Sequence, residues 1–325
     1  MSVKREEEGT KKRMRKPLRI ILKSIGALAG LMVLFLAVVF IVNLVCNKTE
    51  QGKIEPYGQL VSVDGKHMNV LIQGEGEETV VLLPGFGTAA PALDFKLLVD
   101  ELSPFYKVVV VEPFGYGLSD ETDKERTADN MATEVHEALQ QLNIDRFTLM
   151  GHSIAGIYGL NYVNKYPNEV NAFIGIDNSV PTQGGMDAGF PLKTFKFLNK
   201  SGLLRLIKKV GEDPYASLPF DAHTVEQSKM IANKNNNNDT TLNEMKNISS
   251  NFKAAQQLKF PKNLPVLLFI QADNKSVENW IPLHEAQAKD SVRGKVIKLD
   301  AEHYLHHTKS KEIVEDFREF MGQAS

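Results

Sequence analysis

One stretch departs from every other pattern in the chain. From Ile25 to Val45 (IGALAGLMVLFLAVVFIVNLV) no side chain is charged, and Asn43 is the only strongly polar one. As a helix this run rises about 31 Å, close to the ~30 Å hydrocarbon core of a bilayer. A buried helix of a soluble protein is rarely apolar on all sides for this length. A cleaved leader would carry an apolar region of about 7–15 residues and a small-residue cleavage site. Here Asn43-Leu44-Val45-Cys46-Asn47-Lys48 follows instead, and Val45 before Cys46 does not fit a lipoprotein box. The pattern predicts a transmembrane helix over residues 25–45, after a tail of residues 1–24 and before a linker of residues 46–57.

Beyond the linker, short apolar runs alternate with helical periodicity. Gln59–Val63 and His67–Ile72 flank Asp64-Gly65, a hairpin signal. Thr79–Leu83 and Tyr106–Glu112 are buried-strand patterns on either side of a helical Leu93–Leu102. Thr127–Leu142 reads as an amphipathic helix. Arg146–Met150 reads as a strand, Ile154–Tyr166 as a helix and Asn171–Asp177 as a strand. The rhythm breaks over about residues 180–262, a helix-like, Lys/Asn-rich stretch whose Asn235–Asn238 run reads as a solvated loop. It resumes with strand Pro265–Gln271, helix Trp280–Lys289, strand Lys295–Leu299 and helix Lys309–Met321. Apolar strands separated by helices predict an α/β fold: a mostly parallel sheet covered on both faces, with antiparallel strands at one edge. The late insertion is expected to form a helical lid on a domain spanning residues 58–325.

Charge sharpens the picture. Residues 1–24 hold nine Lys/Arg against three acids, so the tail is +6 and the rest of the chain is −8 within a net charge of −2. Lys/Arg bias puts the N-terminus in the cytoplasm and the body outside. The acidic body gives no reason to expect nucleic-acid binding. A single cysteine, Cys46, excludes a disulfide scaffold. Sequons at Asn47, Asn238 and Asn247 matter only in a eukaryotic secretory route.

The sharpest chemical signal is Gly151-His152-Ser153-Ile154-Ala155-Gly156, which follows a strand and opens a helix. A serine at such a bend is strained, and small residues must stand two places before and after it; Gly151 and Ala155 do so. With Leu83-Pro84-Gly85-Phe86-Gly87 after an early strand and Glu112-Pro113-Phe114-Gly115-Tyr116-Gly117-Leu118-Ser119 after the next, the chain resembles the α/β-hydrolase family over roughly residues 58–321. It departs from the family's patterns at Ala155, where Gly is common, at Pro84, where His is frequent, and at Glu112, where Asp is usual.

The resemblance implies a nucleophile, acid and base in that chain order. Ser153 takes the first place. His303, in the loop after Lys295–Leu299, takes the last, and His152 is read as shaping the elbow. Asp273, just past strand Pro265–Gln271, is the expected acid, one residue earlier than the family's usual place. Asp177, at the end of Asn171–Asp177, is the alternative. Backbone N–H groups of Phe86 and Ile154 are the expected oxyanion donors. His306 and His307 have no accompanying acidic pattern and are not read as a metal site; the resemblance implies no metal or organic cofactor.

Ser153 argues against the dehalogenases and epoxide hydrolases of the family, which use an Asp nucleophile. Ile154 argues against proline iminopeptidases, which carry Trp there. The expected activity is carboxylic-ester hydrolysis through an acyl-enzyme, on a small-molecule or lipid-like ester. A serine acyltransferase or peptidase of the same fold, or a tethered non-catalytic binding protein, is the alternative. Protein partners are not legible.

Overall fold

The computed structural model describes residues 16–322; the predicted basic tail lies outside the described residues up to Arg15. Helix Lys16–Gln51 comes first, and its apolar window is not covered by the rest of the chain. Among the described residues it is the one helix long and apolar enough to cross a membrane.

Eight strands follow: β1 (Gln59–Val63), β2 (Lys66–Gln73), β3 (Thr79–Leu83), β4 (Lys107–Glu112), β5 (Phe147–His152), β6 (Val170–Ile176), β7 (Val266–Gln271) and β8 (Gly294–Leu299). They form one sheet in the order β1-β2-β4-β3-β5-β6-β7-β8. β1 and β2 pair antiparallel at one edge, β2 joins β4 antiparallel, and every later pairing is parallel. The expected α/β architecture is present.

The interior strands are apolar on both sides because both faces are covered. Val81, Val109, Leu149 and Phe173 belong to the core on one face; Val80, Val108, Met150 and Ile174 belong to the other. The predicted helix Leu93–Leu102 is divided into Pro91–Asp94 and Lys96–Leu102, and the predicted closing helix is preceded by a separate turn, Leu305–Thr308.

Four helices stand between β6 and β7: Leu192–Lys200, Leu203–Val210, Ala222–Asn235 and Asp239–Ala255. The asparagine run between the last two is not a solvated loop. Asn235 and Asn238 are buried. Asn235 Nδ2 donates to the carbonyls of Ala89 and Gly117, and Asn238 Nδ2 donates to that of Gly115. Asn238 Oδ1 also caps the following helix by accepting from Thr241 N. Short amides therefore fasten the insertion to the turn after β4 by satisfying carbonyls that would otherwise be buried unpaired.

That turn is organised by Glu112, the residue standing where the family pattern has Asp. Its fully buried carboxylate accepts from Leu118 N at 2.8 Å, Asn69 Nδ2 at 2.9 Å, Tyr57 Oη at 2.9 Å and Ala92 N at 3.1 Å. Burial pushes its pKa up, and the four donors pull against that shift. Glu112→Ala would leave four donors without an acceptor, so we expect a loss of about 3–5 kcal/mol in stability. The check is the midpoint of chemical unfolding of the detergent-solubilised chain.

Candidate active site

β5 ends at His152, and the helix Ala155–Lys165 starts three residues later. The intervening Ser153 has φ +54°, the left-handed region that a non-glycine residue rarely occupies. The bend is tight: a Cβ added at Gly151 would stand 3.0 Å from Ala155 Cβ. Ser153 N donates to Ile176 O, and Ser179 N donates to Ser153 O, so the backbone of the bend is tied to the end of β6. The hydroxyl is left at the carboxyl end of the sheet.

His303 arrives from the loop after β8. Its Nε2 lies 3.0 Å from Ser153 Oγ, and its Nδ1 lies 2.7 Å from Asp177 Oδ2. Asp177 directly follows β6, is fully buried, and has φ +42°. Its Oδ1 accepts from Gln271 N at 2.8 Å and from Trp280 Nε1 at 3.1 Å. Turned so that its amide nitrogen faces Asp177 Oδ2 at 3.2 Å, the Gln271 side chain also accepts from His303 N at 3.1 Å. Ser153, His303 and Asp177 are thus joined in one chain of hydrogen bonds.

Asp273 is not brought to His303. Its side chain is 77% exposed and ion-paired with Lys275 Nζ at 3.0 Å. The cause lies in the next residue: Asn274 Oδ1 accepts from Ser276 N and Val277 N, while Asn274 Nδ2 donates to Gln271 Oε1 when that amide is in the opposite orientation. This side-chain cap closes the loop on Asn274 and leaves Asp273 outside it.

Phe86 follows β3 at Pro84-Gly85, and Ile154 follows the serine. Neither backbone N–H donates to another group among the described residues. Both side chains belong to an apolar cluster that includes Ile157, Ile248 and Phe252, with Met186 packed against it. This cluster joins the helix after the serine to the last insertion helix.

His152 is fully buried, and burial holds it well below its ordinary pKa. As a neutral ring it donates from Nε2 to His303 O at 3.1 Å, fixing the loop that carries the imidazole.

Sequence reasoning missed Trp280 and Asp94. Trp280 is the chain's sole tryptophan, and a buried indole N–H needing a partner was the available signal. Asp94 supplies the carboxylate that His306 and His307 lacked in the sequence. Each imidazole Nε2 lies 2.8 Å from one of its oxygens. Burial by itself would raise the Asp94 pKa, but the two imidazoles overcome it and hold the carboxyl below its usual range. Burial lowers His306, so Asp94 is the charged member and His306 a neutral Nε2–H donor. The donor atoms of these three residues lie within 4.8 Å of one another, and among the described residues this is the group that could hold a metal ion. Its hydrogen bonds tie the helical turn Leu305–Thr308, just past His303, to the turn Pro91–Asp94 that follows the Phe86 loop.

Set against known proteins, residues 78–310 match the α/β hydrolase fold. The chain belongs to that family. An uncharacterized Bacillus subtilis protein, YbdG, is 34% identical over 195 residues, 58% of this chain and 60% of its own length. The match therefore spans less than two thirds of that relative. Among solved structures, Cfl2 from Burkholderia cenocepacia superposes with a TM-score of 0.63 at 20% identity, covering 81% of this chain and 94% of its own. A bacterial membrane phospholipase A superposes with a TM-score of 0.57 at 18% identity, covering 94% of this chain and 98% of its own. At these identities the solved structures speak to the fold alone.

Proposed function

We propose that this member of the α/β hydrolase family is a membrane-anchored serine hydrolase that cleaves carboxylic esters through an acyl-enzyme. The observation that carries the reading is the hydrogen-bonded chain from Ser153 Oγ to His303 at 3.0 Å and on to Asp177 at 2.7 Å, beside two unengaged backbone donors. A serine hydroxyl is a weak nucleophile at neutral pH unless a base takes its proton. His303 Nε2 takes it as Ser153 Oγ attacks the ester carbonyl. Asp177 keeps the other proton on Nδ1 and stabilises the imidazolium that forms. Phe86 N–H and Ile154 N–H receive the oxyanion, each donor contributing about 2.7–4 kcal/mol to the barrier reduction. His303 then gives its proton to the departing alkoxide. Water attacks the acyl-enzyme with His303 again as base, releasing the acid and restoring Ser153.

Residues 25–45 form the anchor in this reading, with the N-terminus in the cytoplasm and residues 58–325 outside as one hydrolase domain, lidded by the insertion. The test is covalent. A fluorophosphonate probe is expected to leave one adduct on the full-length chain, mapped by mass spectrometry to the peptide containing Ser153. An unlabelled chain, or an adduct elsewhere, would overturn the assignment.

A further inference from the structure

Asn43 is the polar residue that interrupts the apolar run, and it is buried. What covers it is the hairpin of helices Leu192–Lys200 and Leu203–Val210. Arg205 Nε donates to Asn43 Oδ1 at 2.9 Å, and its two terminal nitrogens donate to Asn47 Oδ1 and to both oxygens of Glu50. Positions 43, 47 and 50 share one helix face, so one guanidinium grips three successive turns of the anchor. The bend of the hairpin sits level with Asn43. A Cβ at Gly202 would stand 2.6 Å from Asn43 Cβ and 3.0 Å from Val39 O. The Val39 carbonyl points along the helix toward Asn43, and Asn43 lies two residues before the end of the apolar run at Val45, about 3 Å along the helix axis. The bend therefore stands at the depth of the outer hydrocarbon boundary whenever the anchor spans.

The hairpin's surface suits that depth. Phe197 is 56% exposed and Ile207 52%, each five residues from Gly202 on its own arm. Residues 192–210 carry six Lys/Arg and no acid, within a body of net negative charge. Lys196 pairs with Asp239 and Arg205 with Glu50; Lys193, Lys200, Lys208 and Lys209 have no ion-pair partner among the described residues. Exposed apolar side chains beside unpaired lysines are the composition of an interfacial membrane contact, with the lysines drawn to anionic headgroups.

We propose that the hairpin of residues 192–210 is a second membrane contact, seated in the headgroup layer of an anionic leaflet beside the anchor. This rests on residues 25–45 spanning the bilayer. It goes beyond that reading by giving part of the insertion a membrane-binding role. The segment leaving the hairpin carries Phe220, whose ring lies 5.3 Å from that of His307, four residues past His303. The seated hairpin thus holds the rim of the site at the lipid surface, which makes esters resident in that leaflet the substrate class within reach.

The experiment uses the full chain with Cys46 replaced by serine, reconstituted in phosphatidylcholine vesicles with and without 30% phosphatidylglycerol. Single cysteines labelled with an environment-sensitive fluorophore replace Phe197, Ile207 or, as control, Val292. Val292 is 71% exposed just before β8, at the sheet end opposite the serine. Blue-shifted emission at 197 and 207, quenched at least twofold by nitroxide lipids and strengthened by phosphatidylglycerol, with position 292 in water, is the expected result. Emission at 197 and 207 equal to that at 292, in chains that float with the vesicles, would overturn the contact and leave the anchor standing. A blue shift without lipid quenching, together with cross-linking between chains, would assign the surface to a second copy instead. A chain that does not float would remove anchor and contact together.

Discussion

Replacing Ser153 by alanine is expected to lower kcat for ester hydrolysis about 10⁶-fold, with KM little changed. The hydroxyl lies on the reaction path and contributes little to ground-state binding, so the loss falls on the chemical step. What remains, about 10³–10⁴-fold above water, comes from oxyanion donors and binding walls that the substitution does not touch. His303→Ala is expected to cost nearly as much, because without a base the hydroxyl keeps its proton. The double variant is expected to be no worse than either single one, since each half is useless without the other. That non-additivity separates a working pair from two independently helpful side chains. Losses that multiply in the double variant, or turnover surviving in Ser153→Ala, would remove the nucleophile from Ser153. The measurement is steady-state turnover of a short-chain ester by the three variants, each first shown to unfold at the wild-type denaturant midpoint.

How much of this was legible beforehand follows from the range of the forces involved. β3 and β4 read as unbroken valine and leucine because strands buried on both faces have no polar side to advertise. The elbow was legible because its geometry imposes local rules, small residues two positions either side of a strained serine. The acid was not. Asp177 and Asp273 both follow a strand at the same end of the sheet, and spacing cannot separate them. The choice is made by contacts remote in sequence: Trp280 and the Gln271 backbone reach Asp177, while the Asn274 cap turns the next loop away. The same distance hid Asp94 from His306, 212 residues away, and Asn43 from Arg205, 162 away. Composition misled at Asn235–Asn238 because asparagine serves equally well to hydrate a loop and to satisfy buried carbonyls. Periodicity and turn chemistry carry the fold; polar pairings that close across the chain do not announce themselves in one dimension.

The sharpest of those pairings makes Asp177→Asn the most informative single substitution. It preserves shape, and the hydrogen-bond network dictates how the new amide must sit. Oδ1 of Asp177 accepts from two donors, Gln271 N and Trp280 Nε1. An amide NH₂ placed there would face two fixed N–H donors, whereas at Oδ2 the imidazole can shift its proton and the Gln271 amide can turn its nitrogen away, so the asparagine carbonyl takes the Oδ1 side. Its NH₂ then takes the place of Oδ2, 2.7 Å from His303 Nδ1. A donor at that point requires Nδ1 to accept, which moves the ring proton to Nε2, the nitrogen facing Ser153. The imidazole is then held in the tautomer that cannot receive the serine's proton. We expect kcat to fall about 10⁴-fold with KM nearly unchanged. Asp273→Asn, whose exposed carboxylate pairs with Lys275, should stay within about twofold of wild type. Trp280→Phe removes one of the two donors that dictate the amide's orientation and about 1 kcal/mol of support for Asp177. Alone it is expected to lower kcat about fivefold, and in combination with Asp177→Asn it should partly restore turnover by letting the amide rotate. A large loss in Asp273→Asn beside a near-normal Asp177→Asn would return the acid's role to the exposed loop. The partial rescue is the stricter test, because a purely structural Asp177 gives no reason for a second damaging substitution to improve the first.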